Sequence, residues 1–470
     1  MYYVRFALSL DKTAKWVFMN KLLILVLAAM LPLMAVAQSA DERIGKLMNE
    51  GRWFELEREM RDTAVRNSLH PMICGMAESL AHHYFNRPDS AVAALNRLLG
   101  KYQAQMVGNT LSMAYLLGVD LARSGHYGAA ADLLQSLVDQ MVAQGMDTTE
   151  FVRFVPQMIG SYRSFDSIGG ICRPLHPVRE YRIPMLADNS MHSATGDTAA
   201  HSIRVAVQIN GVADTCIFDT GAGVNVVPDK LVGKFGLRPL NSSYVMQGIG
   251  VRQGQIMVAD TLSIGGMKWA NVPFVVADYT TGHPEADKVT DMMPPVIGLP
   301  IMFSMGEMQF DFDGGELVVP EKSTPNPLGS YNLMRTDSEN LQILAEDEDG
   351  RPLLMHFDTG TYYTVMSPKY YDGNKAAVEA VGQVDSLRMA GMGGVSITRS
   401  YRLLRKCFEI GGSIACLDSV TVNTGIDKMG NRVPAQASEY GGADGTVGLD
   451  LLERFRRVIV NLHEMFIIKN

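Results

Sequence analysis

The C-terminal part of the sequence contains a long internal duplication. The tripeptide Asp-Thr-Gly occurs at residues 219–221 and again at residues 358–360. In both copies an apolar segment typical of a strand precedes the aspartate, and a turn glycine, Gly211 or Gly350, lies eight residues before it. A three-residue string recurs by chance in many chains, so its matching surroundings are the stronger evidence. We therefore expect the two copies to fold alike.

The duplication continues for more than a hundred residues beyond each tripeptide. Each copy goes on with a glycine-rich turn, an Ile-Gly-Gly hairpin, and a pair of largely apolar residues followed by glycine. These features fall at 248–250, 264–266 and 296–298 in the first copy, and at 391–394, 410–412 and 446–448 in the second. Apolar residues alternate with polar ones before each aspartate, which is typical of strands. The sequence therefore predicts one all-β unit, present twice.

The two copies resemble the lobes of the aspartic peptidases. Each is similar in size to a retropepsin subunit, and the tandem resembles the two-lobed arrangement of pepsin. The resemblance covers the chain from Ser202 to its C-terminus. It implies an all-β, bilobal domain in which Asp219 and Asp358 meet at the junction of the lobes. Neither glycine turn carries the tyrosine typical of pepsins, and Ala222 follows the first motif in place of serine or threonine, so the likeness is closer to the retropepsins.

Two carboxylates held together explain the chemistry of such a site. They cannot both ionise cheaply, so the pair shares one proton. The ionised partner then takes a proton from a water molecule, while the protonated partner donates to the scissile carbonyl. Asp219 and Asp358 are therefore predicted as the catalytic pair of an aspartic-type endopeptidase. This mechanism needs no cofactor and no metal, and the sequence contains no HExxH or Cys-x-x-Cys string that would indicate a metal site.

Supporting roles follow for the neighbours of the pair. The hydroxyls of Thr220 and Thr359 are expected to hydrogen-bond across the lobe junction to the backbone of the other lobe. Gly221 and Gly360 would let that backbone approach closely. The two glycine turns are expected to act as flaps that close over an extended peptide bound as an added strand. The flap residues are Gly248, Ile249, Gly250, Gly391, Met392, Gly393 and Gly394.

The residues three positions after the aspartates differ. Thr361 carries a hydroxyl that is expected to donate to Asp358, whereas Ala222 has none to offer to Asp219. A donor to the charged form lowers the pKa of a carboxyl group. The shared proton is therefore expected on Asp219, with a pH optimum shifted from strongly acidic toward mildly acidic or neutral. His356 lies on the same side of its strand as Asp358 and is assigned to packing.

The N-terminus has the features of an export signal. Lys21 precedes an apolar run over residues 22–36, which ends in Ala-Val-Ala at residues 35–37. A membrane span needs roughly 20 residues, so the run favours a cleaved signal peptide over residues 1–37, with an uncleaved anchor as the alternative. Met19 would give this signal a compact start. The prediction is an exported protein, periplasmic or secreted, with no membrane span after cleavage.

Residues 38–165 are predicted to form an α-helical domain. Apolar residues recur there at intervals of three and four, and glycine and proline are confined to the joints. The segment 90–95 resembles the segment 128–133, which suggests a helix-pair repeat similar to the tetratricopeptide type. The match to that consensus is poor, and a plain helical bundle fits equally well. The expected role of this domain is docking of a protein partner, a lid, or a chaperone-like cover for the C-terminal part.

The predicted organisation is multidomain, with the helical region followed by the bilobal all-β domain. A proline-containing linker is expected at 166–198, the first lobe at 199–322, an inter-lobe linker at 323–336 and the second lobe at 337–470.

Of the 470 residues, 20% are charged and the net charge is −8. This charge argues against a general nucleic-acid binder. The expected partner is an extended peptide or protein substrate.

Two cysteines of the second copy are predicted to lie close together. Cys407 and Cys416 lie symmetrically about the glycine pair 411–412, so a two-residue turn would place them opposite each other, and an exported protein meets oxidising conditions. A disulfide is one hypothesis and two free thiols are the other.

For the whole chain, the alternatives to an active peptidase are a catalytically silent peptide-binding protein of the same fold and a scaffold whose helical region provides the function.

Overall fold

The computed structural model describes residues 39–146, 148–186, 201–247, 251–279, 292–391, 394–433 and 442–470. The chain divides into two compact units, residues 1–170 and 171–470. The expected signal peptide and flap residues 248–250 and 392–393 lie outside the described part. An N-terminal helical region followed by a strand-rich C-terminal part confirms the predicted fold class.

The first unit is helical. Consecutive helices pack against each other, and the apolar positions at intervals of three and four form their shared core, in which Leu95 and Leu98 are buried. The helical repeat stays a prediction. Within the described residues no helix is long and apolar enough to cross a membrane. The helices are α1 (Ala40–Glu50), α2 (Trp53–Arg61), α3 (Thr63–Ser68), α4 (Pro71–Tyr84), α5 (Pro88–Met106), α6 (Asn109–Arg123), α7 (Tyr127–Ala143) and α8 (Glu150–Ser167).

A buried charged cluster joins α4 to α6. Nδ1 of His83 lies 2.9 Å from Oδ2 of Asp120, and both side chains are buried. Arg123 donates to the main-chain oxygen of His83 at 3.2 Å and lies 3.6 Å from Asp120. Buried charges are tolerated when they are paired and hydrogen-bonded. The cluster therefore fixes the packing of these two helices at the level of His83.

The second unit consists of two lobes of matching topology. The first lobe has β3 (Arg204–Ile209), β4 (Val212–Phe218), β5 (Val226–Pro228), β6 (Arg238–Gln247), β7 (Val251–Ile264), β8 (Met267–Ala277), β9 (Val296–Ile297), α9 (Leu299–Met305), β10 (Glu307–Asp311) and β11 (Glu316–Val319). The second has β12 (Leu333–Arg335), β13 (Leu341–Glu346), β14 (Pro352–Phe357), β15 (Val365–Met366), α10 (Pro368–Val381), β16 (Gln383–Gly391), β17 (Gly394–Ile410), β18 (Ser413–Ile426), β19 (Gly445–Val447), α11 (Leu449–Leu452), β20 (Arg457–Asn461) and β21 (Phe466–Lys469).

The segment expected as a linker, 166–198, takes part in the sheets. It contributes β1 (Arg173–Pro174), which pairs with β8, and β2 (Tyr181–Pro184), which pairs with β11. The sheet of the first lobe has the order β1-β8-β5-β9-β4-β3-β7-β6, and that of the second lobe β12-β13-β14-β19-β15-β18-β17-β16. In each, the strand leading to the aspartate runs parallel to the short strand of the later glycine motif, β4 beside β9 and β14 beside β19.

A third sheet spans the lobes in the order β2-β11-β10-β20-β21. Its centre is the antiparallel pair of β10 and β20, in which Glu307 lies opposite Asn461. The buried carboxylate of Glu307 accepts hydrogen bonds from Asn461 at 3.0 Å and from the hydroxyl of Thr324 at 2.7 Å. A buried carboxylate needs such partners to offset its lost hydration. The two lobes therefore share one continuous sheet.

Two-residue hairpin turns form at glycine positions in both lobes. Asn210 and Gly211 adopt φ of 49° and 80° between β3 and β4, and Gly411 and Gly412 adopt 57° and 79° between β17 and β18. Turns with two left-handed residues match the twist of antiparallel strands and favour asparagine and glycine. The second turn places Cys407 directly opposite Cys416. The two cysteines are joined by a disulfide, with their Cα atoms 4.0 Å apart.

Candidate active site

The two Asp-Thr-Gly motifs begin where β4 and β14 end. The main-chain N–H of Asp219 donates to Ile297 of β9 at 3.0 Å, and that of Asp358 donates to Val447 of β19 at 3.2 Å. The preceding phenylalanine of each strand is completely buried in its lobe. Each aspartate is therefore held at the end of a strand that is anchored in the core.

The glycines of the later motifs make room for the loops that follow the aspartates. A Cβ atom on Gly298 would lie 2.4 Å from the main-chain oxygen of Ala222, and one on Gly448 would lie 2.5 Å from that of Tyr362. Real Cβ atoms do not approach a main-chain oxygen so closely. The hydrophobic-hydrophobic-Gly pattern thus has a local cause, since only glycine lets each loop pack against its neighbouring strand.

The two threonines of the motifs form a reciprocal set of hydrogen bonds between the lobes. The Thr220 hydroxyl donates to the main-chain oxygen of Phe357 at 3.1 Å, and the Thr359 hydroxyl donates to that of Phe218 at 2.8 Å. Each hydroxyl also accepts the main-chain N–H of the other threonine at 3.0 Å. Both side chains are completely buried. These bonds lock the two aspartate-bearing loops together.

The carboxyl groups of the aspartates lie at the centre of this junction. A Cβ atom on Gly360 would lie 2.4 Å from the carboxyl carbon of Asp219, and one on Gly221 would lie 2.5 Å from that of Asp358. Each carboxyl group therefore lies against the glycine of the opposite motif. The structure thus brings together Asp219, Asp358 and the four Thr and Gly residues that the sequence associates with them.

Main-chain donors surround both carboxyl groups. The N–H of Gly221 donates to Oδ1 of Asp219 at 2.8 Å, and the N–H of Gly360 donates to Oδ1 of Asp358 at 2.8 Å. The next residue differs between the lobes: the N–H of Thr361 donates to Oδ1 of Asp358 at 3.2 Å, whereas the N–H of Ala222 donates to the main-chain oxygen of Asp219 at 3.3 Å. The bond from Thr361 comes from its main-chain N–H, not from the hydroxyl that the sequence suggests. Beyond the bond from its glycine, the carboxyl group of Asp358 therefore accepts this second main-chain hydrogen bond.

Several pKa values near the junction are shifted. Burial raises the pKa of Asp219 well above its usual range, and the charge of Asp358 and a hydrogen bond to it act in the same direction. Burial lowers the pKa of His356, and the charge of Asp358 partly opposes that effect. A raised pKa on one of two adjacent carboxyl groups is expected when the pair shares a single proton.

Tyr279 lies near the pair although no motif indicated it. Burial and the charge of Asp219 both raise the pKa of its phenol. Tyr279 follows the end of β8, whose last residue, Ala277, lies opposite Pro228 of β5 in a parallel pair. No local pattern in the sequence indicates where the chain runs beyond β8, so the nearness of Tyr279 to Asp219 could not be predicted.

Residues outside the motifs connect each aspartate loop to the opposite lobe. In the second lobe, the ring of Tyr362 lies 5.0 Å from that of His201, and Nε2 of His201 lies 2.6 Å from Oε1 of Glu453. In the first lobe, Gly223 packs against the main-chain oxygen of Glu339, which would lie 3.3 Å from a Cβ atom at that glycine. Each aspartate loop is therefore supported from both lobes.

The expected flaps are hairpins as far as they are described. β6 pairs with β7 up to Gln247 opposite Val251, and β16 pairs with β17 up to Gly391 opposite Gly394. Gly248, Ile249, Gly250, Met392 and Gly393 lie between these pairs and outside the described residues. In the part of the chain that the structure describes, no group of three histidine, cysteine or acidic side chains is arranged to hold a metal ion.

The chain is similar to known proteins over part of its length. Residues 205–300, which include Asp219, match the family model of the aspartyl proteases. No curated protein matches the chain. Among solved structures, a retropepsin-like aspartic protease from Rickettsia conorii is 14% identical and covers 30% of this chain and 88% of its own, with a TM-score of 0.20. The family match lies on the first lobe of the strand-rich unit.

Proposed function

We propose that this protein is an exported aspartic endopeptidase whose catalytic pair is Asp219 and Asp358. The observation that carries the proposal is the placement of the two carboxyl groups. Each lies against the glycine of the opposite Asp-Thr-Gly motif, within one hydrogen-bonded junction. Such an arrangement can hold a water molecule between a carboxylate and a carboxylic acid, which is what metal-free hydrolysis of a peptide bond requires.

In this mechanism Asp219 carries the shared proton and Asp358 the charge. The raised pKa of Asp219 supports a single proton shared by the pair, and the two main-chain donors at Asp358 support placing the charge there. Asp358 takes a proton from the bound water as the water attacks the scissile carbonyl carbon, and Asp219 donates its proton to the carbonyl oxygen. The main-chain donors of Gly360 and Thr361 stabilise the charge on Asp358 before attack. As the tetrahedral intermediate collapses and the C–N bond breaks, Asp358 gives its proton to the leaving amine and Asp219 takes a proton back from a hydroxyl of the intermediate.

The substrate is an extended peptide in this proposal. The hairpins β6–β7 and β16–β17 lead toward the expected flaps from both lobes. A peptide bound between such hairpins presents its main chain to strand edges, so recognition depends mainly on main-chain hydrogen bonds. The apolar run at residues 22–36 and the disulfide between Cys407 and Cys416 support export to an oxidising compartment.

The test uses the purified chain and a mixed peptide library, with and without a pepstatin-type inhibitor. Asp219→Asn and Asp358→Asn should each reduce cleavage by about three orders of magnitude or more, since the two groups act as a unit. Asp313→Asn, at an exposed carboxylate paired with Arg456, is the matched control and should cleave normally. Residual cleavage above about a tenth of wild type in either variant would rule out the pair. Peptide binding without cleavage by the wild type would favour a silent binding protein.

A further inference from the structure

The two lobes differ at the strand position two residues before each aspartate. This position is Ile217 on β4 and His356 on β14, and both side chains are buried, each with 7% exposure. Side chains two apart on a strand lie on the same face, with their Cα atoms about 6.6 Å apart. The imidazole of His356 therefore lies on the same face of β14 as the carboxyl group of Asp358, whereas Asp219 has an aliphatic side chain in that place.

The neighbours of His356 across the sheet are polar but uncharged. Gln342 on β13 and Thr446 on β19 lie directly opposite His356, and both are buried. Directly opposed residues share a face of the sheet. The corresponding neighbours of Ile217 are Arg204, which is half-buried, and Val296. The lobes thus match in the glycine N–H that donates to each aspartate but differ in the side chain beside it.

Asp358 is the charged group that acts on the imidazole. Burial lowers the pKa of His356, while the charge of Asp358 and a hydrogen bond to the main chain of Leu341 raise it. Asp444 accepts a hydrogen bond from the main chain of Leu354 on the same strand and is paired with Lys369 at 2.9 Å. Asp219 belongs to the opposite lobe, across the junction. His356 is therefore coupled to one member of the pair.

We propose that His356 is a positioning residue that acts through Asp358, keeping the single negative charge of the pair on Asp358 and taking up the next proton in acid. The proposal rests on the peptidase function proposed above. An imidazolium and a neighbouring carboxylate stabilise each other, so a proton bound by His356 leaves the pair with one charge and one proton. A second proton on the pair itself would remove the base. His356 thereby extends activity toward lower pH.

The pH profile of kcat/KM is the first test. His356→Ile copies the first lobe, and His356→Gln keeps a polar side chain that cannot take a proton. Both should move the acidic limb of the profile upward by about one pH unit, the size expected for one charge at this separation. His126→Ile, at an exposed histidine of the helical unit, is the control and should leave the profile unchanged. An acidic limb that stays in place in both His356 variants overturns the proposal.

The second test does not depend on cleavage. NMR titration of the full chain with labelled histidine, with the His356 signal assigned from the His356→Gln spectrum, measures the pKa of the imidazole. Asp358→Asn should lower that pKa, because the charge that raises it is lost. Asp219→Asn keeps a charge on Asp358 and should leave the pKa near its wild-type value. Equal pKa values in wild type and Asp358→Asn overturn the coupling. A chain that cleaves no peptide yet shows the coupling would contradict the peptidase proposal alone.

Discussion

Thr220 and Thr359 each accept the main-chain N–H of the other at 3.0 Å, and each donates its hydroxyl to the residue before the opposite aspartate. Four hydrogen bonds thus link two loops that are 139 residues apart in the sequence. Because the bonds attach to the loops that carry Asp219 and Asp358, the distance between the aspartates depends on the packing of the lobes. Stability and catalysis should therefore change together when this junction is altered.

The junction can be tested with a residue that keeps its shape but loses its hydroxyl. Thr359→Val removes the hydroxyl that bonds to the N–H of Thr220 and to the main-chain oxygen of Phe218, both in a buried environment. The loss should lower the free energy of unfolding by about 2–5 kcal/mol. Thr359→Ser keeps both bonds and should cost much less. Urea denaturation followed by tryptophan fluorescence measures both variants. Equal stability of the two variants would contradict the role of the hydroxyl.

The closeness of the aspartates to the opposite glycines makes cleavage sensitive to a single methyl group at the junction. Gly360→Ala places a methyl group against the carboxyl group of Asp219, which must move. Peptide cleavage should fall by about two orders of magnitude or more, since small displacements of reacting groups are costly. Gly233→Ala, where a Cβ atom meets open space, is the matched control. Normal cleavage by Gly360→Ala would show that the carboxyl groups are farther from the glycines than the structure places them.

Because Thr361 donates to Asp358 through its main-chain N–H, the pH profile of cleavage should not depend on its hydroxyl, contrary to the expectation from the sequence. The bond to Asp358 comes from the N–H, which alanine retains. Thr361→Ala should therefore leave the pH profile of cleavage unchanged. The profile of the variant is compared with that of wild type on the same peptide. An upward shift of its acidic limb would show that the hydroxyl stabilises the charge on Asp358 after all.

The helical unit should lose stability in mild acid because of His82. Burial, assisted by the charge of Arg87, lowers the pKa of His82 from its usual 6.5 to about 4. The folded form thus binds this proton less readily than the unfolded form does, so stability is fully present above pH 6.5 and is lost as the pH falls toward 4. The loss amounts to about 2–3 kcal/mol.

His82→Gln should reduce this pH dependence. Urea denaturation followed by circular dichroism at 222 nm, at pH values between 7 and 4, reports on the helices. His126→Gln, at an exposed histidine, serves as the control and should keep the wild-type dependence. If the His82→Gln variant loses stability in acid as steeply as wild type, another group is responsible.

The disulfide between Cys407 and Cys416 closes a short hairpin of the second lobe. Exchange of both cysteines for serine should lower the free energy of unfolding by about 2–3 kcal/mol, as expected for a closed loop of this size. Mass spectrometry of a digest made without reduction should find the two cysteines in one linked pair. Both cysteines alkylated in the non-reduced protein would exclude the bond.

Local patterns in the sequence are sufficient to predict the kind of fold and the positions of the motifs. The alternation before Asp219 and Asp358, the turn glycines, and the change from helical to alternating periodicity are local patterns, and each has a local physical cause. A strand at 204–209 followed by a turn at Asn210 and Gly211 needs no distant contact to be predicted. The helical region and the bilobal all-β unit could be predicted for that reason.

Which strands pair and which side chains lie near the aspartates could be learned only from the folded chain. The pairing of β10 with β20, the position of Tyr279 near Asp219, and the donor that Thr361 uses all depend on contacts between distant segments. Periodicity reports which face of an element is buried, but it carries no information about the element that covers that face. The strand pattern alone assigns His356 to packing. The pKa of its imidazole depends on burial and on the charge of Asp358, and both are known only from the folded sheet.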